Sequence, residues 1–134
     1  MNQDEAQRAV VQGEDAAVYA YSIAGARVPA QRRALAGLEA HRQARDVAAA
    51  TLAAPPPPAS SYALPIQPDS PSRARDLLAY VENALVPVYA DLAAATTGDD
   101  RRRAVIAAQV CASRAVTWGA ATQAFPQGQK SSQR

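Results

Sequence analysis

Two glutamates, a histidine and a cysteine are the side chains whose type and position could do chemistry in this chain: Glu14, Glu82, His41 and Cys111. Each sits among residues suited to burial. At about 100° per residue, Val10, Val11, Ala17, Val18, Tyr21, Ala24 and Gly25 fall within a right angle of Glu14 around a helix axis. The same wheel sets His41, the only histidine, among Ala34, Gly37, Leu38, Ala44, Ala48 and Leu52, and Glu82 among Leu78, Ala79, Leu85, Val86, Tyr89 and Ala93. Two carboxylates and an imidazole are a donor set for one divalent ion, Zn, Mn or Fe, with water completing the shell. They can equally neutralise one another, since a buried charge is costly unless paired. Cys111, the only cysteine, lies mid-helix on a face read as buried with no histidine on its own helix. That suits a small core hydrophobe better than a nucleophile.

Four helices are needed to position these residues, and their ends are marked. Asn2 with Glu5 makes a capping box for a first helix that runs to about Arg27, before Pro29. Pro29 suits the first turn of a second helix, which continues until the prolines at 55–58 forbid it. Ser70 with Pro71 opens a third, about 71–96, and Gly98 with Asp99 separates it from a fourth, about 99–123. Pro87 falls inside the third and should bend it near Glu82 by freeing the Asn83 carbonyl. Helices one and two, and three and four, are joined by few residues, so each pair is expected to be an antiparallel hairpin. Residues 55–70, PPPPASSYALPIQPDS, form a proline-rich crossover long enough at ~3.1 Å per residue to travel the bundle. Tyr62, Leu64 and Ile66 suit a strap that packs as it crosses.

Composition agrees with an all-α domain and excludes several functions. Apolar residues make up 49% of the chain but aromatics only 5%, so the core must come from Ala, Val and Leu, which pack between close helices. The net charge of +2 is spread along the chain, with Arg101, Arg102 and Arg103 as the one basic run, too little for a nucleic-acid footprint. The N-terminus lacks a signal-peptide pattern, and no run reaches the ~18 consecutive apolar residues of a membrane span. A lone cysteine leans toward a reducing compartment. A cytoplasmic protein without nucleic-acid or membrane partners is therefore expected.

In an antiparallel bundle Glu14, His41, Glu82 and Cys111, each near the middle of its helix, share roughly one layer. Tyr21 and Tyr89 point into it, Arg45 lies one turn beyond His41, and the inner face of the fourth helix presents Ala107, Cys111, Arg114 and Trp118. The strings EDAAVYAYSIAGAR, AHRQARD, SYALPI, VENALVPVYADL, AVTW and AFP, in this order, resemble a ferritin-like domain family of unknown function found in high-GC Gram-positive bacteria. The resemblance covers about residues 5–126 and implies a ferritin-like four-helix bundle, with no established activity. In that family the position after the first glutamate is often histidine; here it is Asp15.

A ferritin-like di-metal centre needs a lone Glu from each of two helices and Glu-x-x-His from each of the others. Glu14 and Glu82 match the lone glutamates and His41 one histidine. However, Leu38 stands three residues before His41, Glu39 points to the opposite face, and the fourth helix supplies neither ligand. Three ligands of six do not hold two metals, so no cofactor is expected. The carboxylates would instead be neutralised by Arg45, Arg114 and a protonated His41, leaving the remnant of a metal site in a non-enzymatic binding or interaction module. A mononuclear site on Glu14, His41 and Glu82 is the alternative. Helices one and three are apolar on a second face, where Tyr19, Ile23, Leu77 and Tyr80 could join a homodimer or another protein partner unless the crossover covers them. The domain is expected to span 1–126, followed by a polar, disordered tail over 127–134.

Overall fold

The expected capping box is formed: the Asn2 side chain accepts from the Glu5 N–H at 2.9 Å while the Glu5 carboxylate accepts from the Asn2 N–H at 3.1 Å. It opens α1, Gln3–Ala24. The computed structural model describes residues 1–120, which form four α-helices and, among the described residues, no strand. The expected tail and the end of the domain at residue 126 lie outside them.

Most helix ends fall where the sequence marks them. After α1 a single 3-10 turn, Gly25–Arg27, leads toward Pro29. Helix α2, Gln31–Ala50, stops short of the prolines because Thr51 turns its hydroxyl onto the Ala48 carbonyl at 2.7 Å, which competes with helical continuation. The shortened end lets Leu52 tuck into the core. Helix α3, Pro71–Ala94, starts with the Ser70 hydroxyl accepting from the Arg73 N–H at 3.2 Å. It continues through Pro87, which lies on its exposed side. Helix α4, Gly98–Thr117, ends six residues before the expected 123. Gly119 adopts a left-handed φ of 107°, and the Ala120 N–H returns to the Ala115 carbonyl at 3.0 Å, a glycine stop that the sequence reading overlooked.

Helix α1 packs against both α2 and α3, and α3 packs against α4. Among the described residues no Cα of α2 comes within 8 Å of one in α4, so that side of the molecule stays open. The crossover is tied down at three levels, two along α1 and one at the turn that follows it. Arg8 donates to the Ala54 carbonyl at 2.8 Å, Tyr62 packs on Tyr19 with ring centroids 5.6 Å apart, and Arg27 donates to the Pro68 carbonyl at 2.7 Å. It therefore runs the length of α1, with Leu64 and Ile66 against the core.

The apolar core is in two parts. One gathers Val10, Val11, Ala17, Leu85, Leu92 and Ala104; the other gathers Ala20, Ala24, Val28, Leu77, Leu78 and Trp118. The level between them holds Glu14, His41 and Glu82. Leu77, expected at an interface, is fully buried in the second part, because Ala74, Leu77 and Leu78 together face α1 and Trp118. Tyr19 is partly covered by Tyr62 and Ile23 is half-buried, whereas Tyr80 remains exposed. By length and composition α3 alone among the described helices is apolar enough to cross a membrane, but that apolarity is what a helix packed on two neighbours requires.

Close approach of α2 to α1 depends on Gly37, where a Cβ would fall 2.4 Å from Tyr21 Cε1. Tyr21 is hydrogen-bonded on both sides of its hydroxyl and cannot swing aside. Gly37→Ala is expected to lower stability by about 1–3 kcal/mol, read as a lower urea midpoint with an unchanged m-value. A midpoint equal to the parent's would mean that the ring moves freely.

Candidate functional site

The layer between the two core parts is built around His41. Its Nδ1 lies 2.6 Å from Glu14 Oε2 and its Nε2 lies 2.7 Å from Glu82 Oε1, so both ring nitrogens are engaged by carboxylates. Glu14, His41 and Glu82 are each at most 1% exposed. Helix α1 supplies Glu14, α2 supplies His41 and α3 supplies Glu82, which ties three helices at one level. The three side chains meet at one level, each at the centre of its helix's apolar stripe.

Hydroxyls add to the bonding of both carboxylates. Tyr89 donates to Glu14 Oε1, and Tyr21 donates to Glu82 Oε1 at 2.7 Å. The Trp118 indole N–H donates to the Tyr21 oxygen at 2.8 Å. A chain of hydrogen bonds thus runs Trp118, Tyr21, Glu82, His41, Glu14, Tyr89, with its donors directed toward the two carboxylates. Trp118 was read only as an inner-face residue. The signal for its polar role was its type, since a buried tryptophan needs an acceptor for its N–H. Glu82 Oε2 is the one buried side-chain polar atom without a hydrogen-bond partner among the described residues.

The arginines behave differently from expectation. Arg45 does not reach Glu14 or Glu82; it pairs with Asp15 at 3.5 Å and with Asp46 at 3.2 Å, which draws its guanidinium to the surface. Asp15 is thereby paired away from the central layer. Burial raises its carboxyl pKa, with Arg45 acting in the opposite direction. The Arg114 guanidinium has no hydrogen bond or ion pair within 4.0 Å among the described residues. Its charge nevertheless acts on the layer, opposing the upward shifts of Tyr21, Tyr89 and Cys111. Those shifts come first from burial and then from the nearby carboxylates, so both phenols and the thiol are held protonated. Cys111 is accordingly unsuited to act as a nucleophile.

Burial by itself would push the His41 pKa down. The hydrogen bonds and charges of Glu14 and Glu82 outweigh it and raise the value to about 9. His41 is therefore an imidazolium at neutral pH, donating from both nitrogens. A metal-bound histidine must offer a lone pair; here neither nitrogen is free to do so. Among the described residues no group of three or more His, Cys, Asp or Glu is arranged to hold a metal ion.

The open side between α2 and α4 forms a cleft of about 660 Å³. Val10, Tyr89 and Leu92 line it together with Val47, Ala48, Ala104 and Ala107, and Arg114 borders it. The Tyr89 end of the hydrogen-bond chain therefore faces the cleft.

Fold and layer together define an all-helical protein centred on a buried carboxylate–imidazolium–carboxylate trio. The chain belongs to the family described as a domain of unknown function, DUF4439, which it matches over residues 6–130. It is similar to a solved structure described as a conserved hypothetical protein, rv2844, from Mycobacterium tuberculosis. The two are 28% identical with a TM-score of 0.82, over 87% of this chain and 93% of that one. No curated protein matches the chain.

The pH dependence has a definite sign. His41 titrates near 6.5 when unfolded and near 9 when folded, so its contribution is fully present below pH 6.5 and is lost as pH rises through 9. The urea midpoint should fall between those values, and His41→Gln should flatten that slope. A parent midpoint constant across the window would show that the imidazole is neutral.

Proposed function

We propose that this is a ferritin-like four-helix bundle, two antiparallel hairpins joined by the long crossover, in which a hydrogen-bonded ion trio stands where a di-metal centre would lie. The protein acts as a non-enzymatic binding or interaction module. One observation carries this: His41 uses both ring nitrogens on Glu14 and Glu82, at 2.6 and 2.7 Å, leaving no lone pair for a cation. The donor set points the same way. Helix α4 contributes Cys111, held as a thiol, and Arg114, whose positive charge would repel metal.

A second reading is favoured by a separate observation, the buried and unpartnered Glu82 Oε2. Glu14, His41 and Glu82 would then hold a single divalent ion after His41 gives up its proton. Metal analysis distinguishes the two. Protein purified without chelator and reloaded with Fe, Mn or Zn is expected to carry well under one equivalent, no more than a Glu14→Ala, His41→Ala double variant. Near one equivalent in the parent, lost in the variant, would establish the mononuclear site and overturn the ion-trio reading.

A further inference from the structure

From Ala104 to Thr117, α4 reads AVIAAQVCASRAVT, with Arg114 as the single charged residue. Arg114 borders the cleft and therefore leaves the solvent face uncharged over this stretch. That face carries Val105, Ile106, Val110 and Val116, each 40–50% exposed. The exposed face of α2, in contrast, carries Glu39, Arg42 and Asp46. Among the described residues α4 packs against α3 alone. A helix that is apolar on its outer face as well as its inner one is ordinarily covered.

We propose that the solvent face of α4 is the contact between two copies of this chain, packed antiparallel about a twofold axis near Gln109. This names a partner for the interaction module proposed above and rests on that reading. Charge placement selects a second copy. Arg102 stands exposed at the N-terminal end of the face, with an ion-pair distance of 4.0 Å to Asp99. The other end, at Val116 and Thr117, brings the helix C-terminus and no basic side chain to that face. Antiparallel packing sets each Arg102 beside the partner's helix C-terminus, where a cation is favoured. Gln109 falls midway between these ends, and its amide, at once donor and acceptor, can pair with the partner's Gln109. Residues 121–134 hold one large apolar side chain, Phe125, against four exposed aliphatics.

A 20-residue helix is about 30 Å long. One such strip is smaller than the roughly 800 Å² per partner of a standard interface, so association should depend on concentration.

Sedimentation of the full chain from about 1 µM to about 1 mM tests this. The expected mass rises from 14.0 kDa toward twice that value. Ile106→Glu and Val110→Glu should each weaken association about tenfold or more, while Tyr80→Glu, on α3, should leave it unchanged. Gln109→Cys, a surface change that spares packing, should give a disulfide-linked dimer on mild oxidation, since Cys111 is buried. A 14.0 kDa species at every concentration would overturn the proposal. So would a dimer broken by Tyr80→Glu and not by Ile106→Glu, or failure of Gln109→Cys to cross-link. Metal content of the same samples reports on the ion trio alone, so a metal-loaded dimer would refute that reading and leave this one standing.

Discussion

The position of His41 between Glu14 and Glu82 is the constraint on which the rest of the structure depends. A buried carboxylate away from water is costly unless it is paired and hydrogen-bonded. Here two are engaged by one imidazolium and two phenols, with only Glu82 Oε2 left unpartnered, at distances that leave little room for slippage. Shifting α2 by one turn along α1 would separate the ring from both acceptors at once. Such pairs contribute little net stability compared with apolar packing of the same volume. What this trio supplies is register: α1, α2 and α3 fit together in one way.

The divided core follows from that level. Alanine, valine and leucine above and below it pack without many aromatics, and non-directional contacts among small side chains leave sliding poorly opposed. The polar layer opposes it. Tyr21 and Tyr89 link the two kinds of packing, each placing a ring among apolar residues and a hydroxyl on a carboxylate. Gly37 yields the space that lets the Tyr21 ring reach its position. The uncharged outer face of α4 belongs to a different problem, since it takes no part in fixing register.

Much of this was legible in the residues. A 3.6-residue period brought Glu14, His41 and Glu82 to one layer, because central placement on an apolar stripe is a local property. The Asn2 and Ser70 caps were readable for the same reason. What escaped were features decided by competition between partners. Arg45 was expected on the central carboxylates, but Asp15 and Asp46 lie nearer its reach and hold it at the surface. Leu77 looked like an outer residue on a wheel centred on Glu82, yet α3 packs on two helices and buries a wider arc. The Gly119 stop was a local signal and could have been read.

Helix α2 borders the open side of this layer. Among the described residues its packing is on α1 and the short turn that follows it, and the cleft separates it from α4. A helix with few neighbours thus carries the one group on which both carboxylates rely. Local opening favours elements with few packed neighbours, so α2 is a natural leaf beside the cleft, joined to α1 through Gly25–Arg27 and latched by a proton. Release of that proton would loosen the latch and open the way for water to the acids behind it.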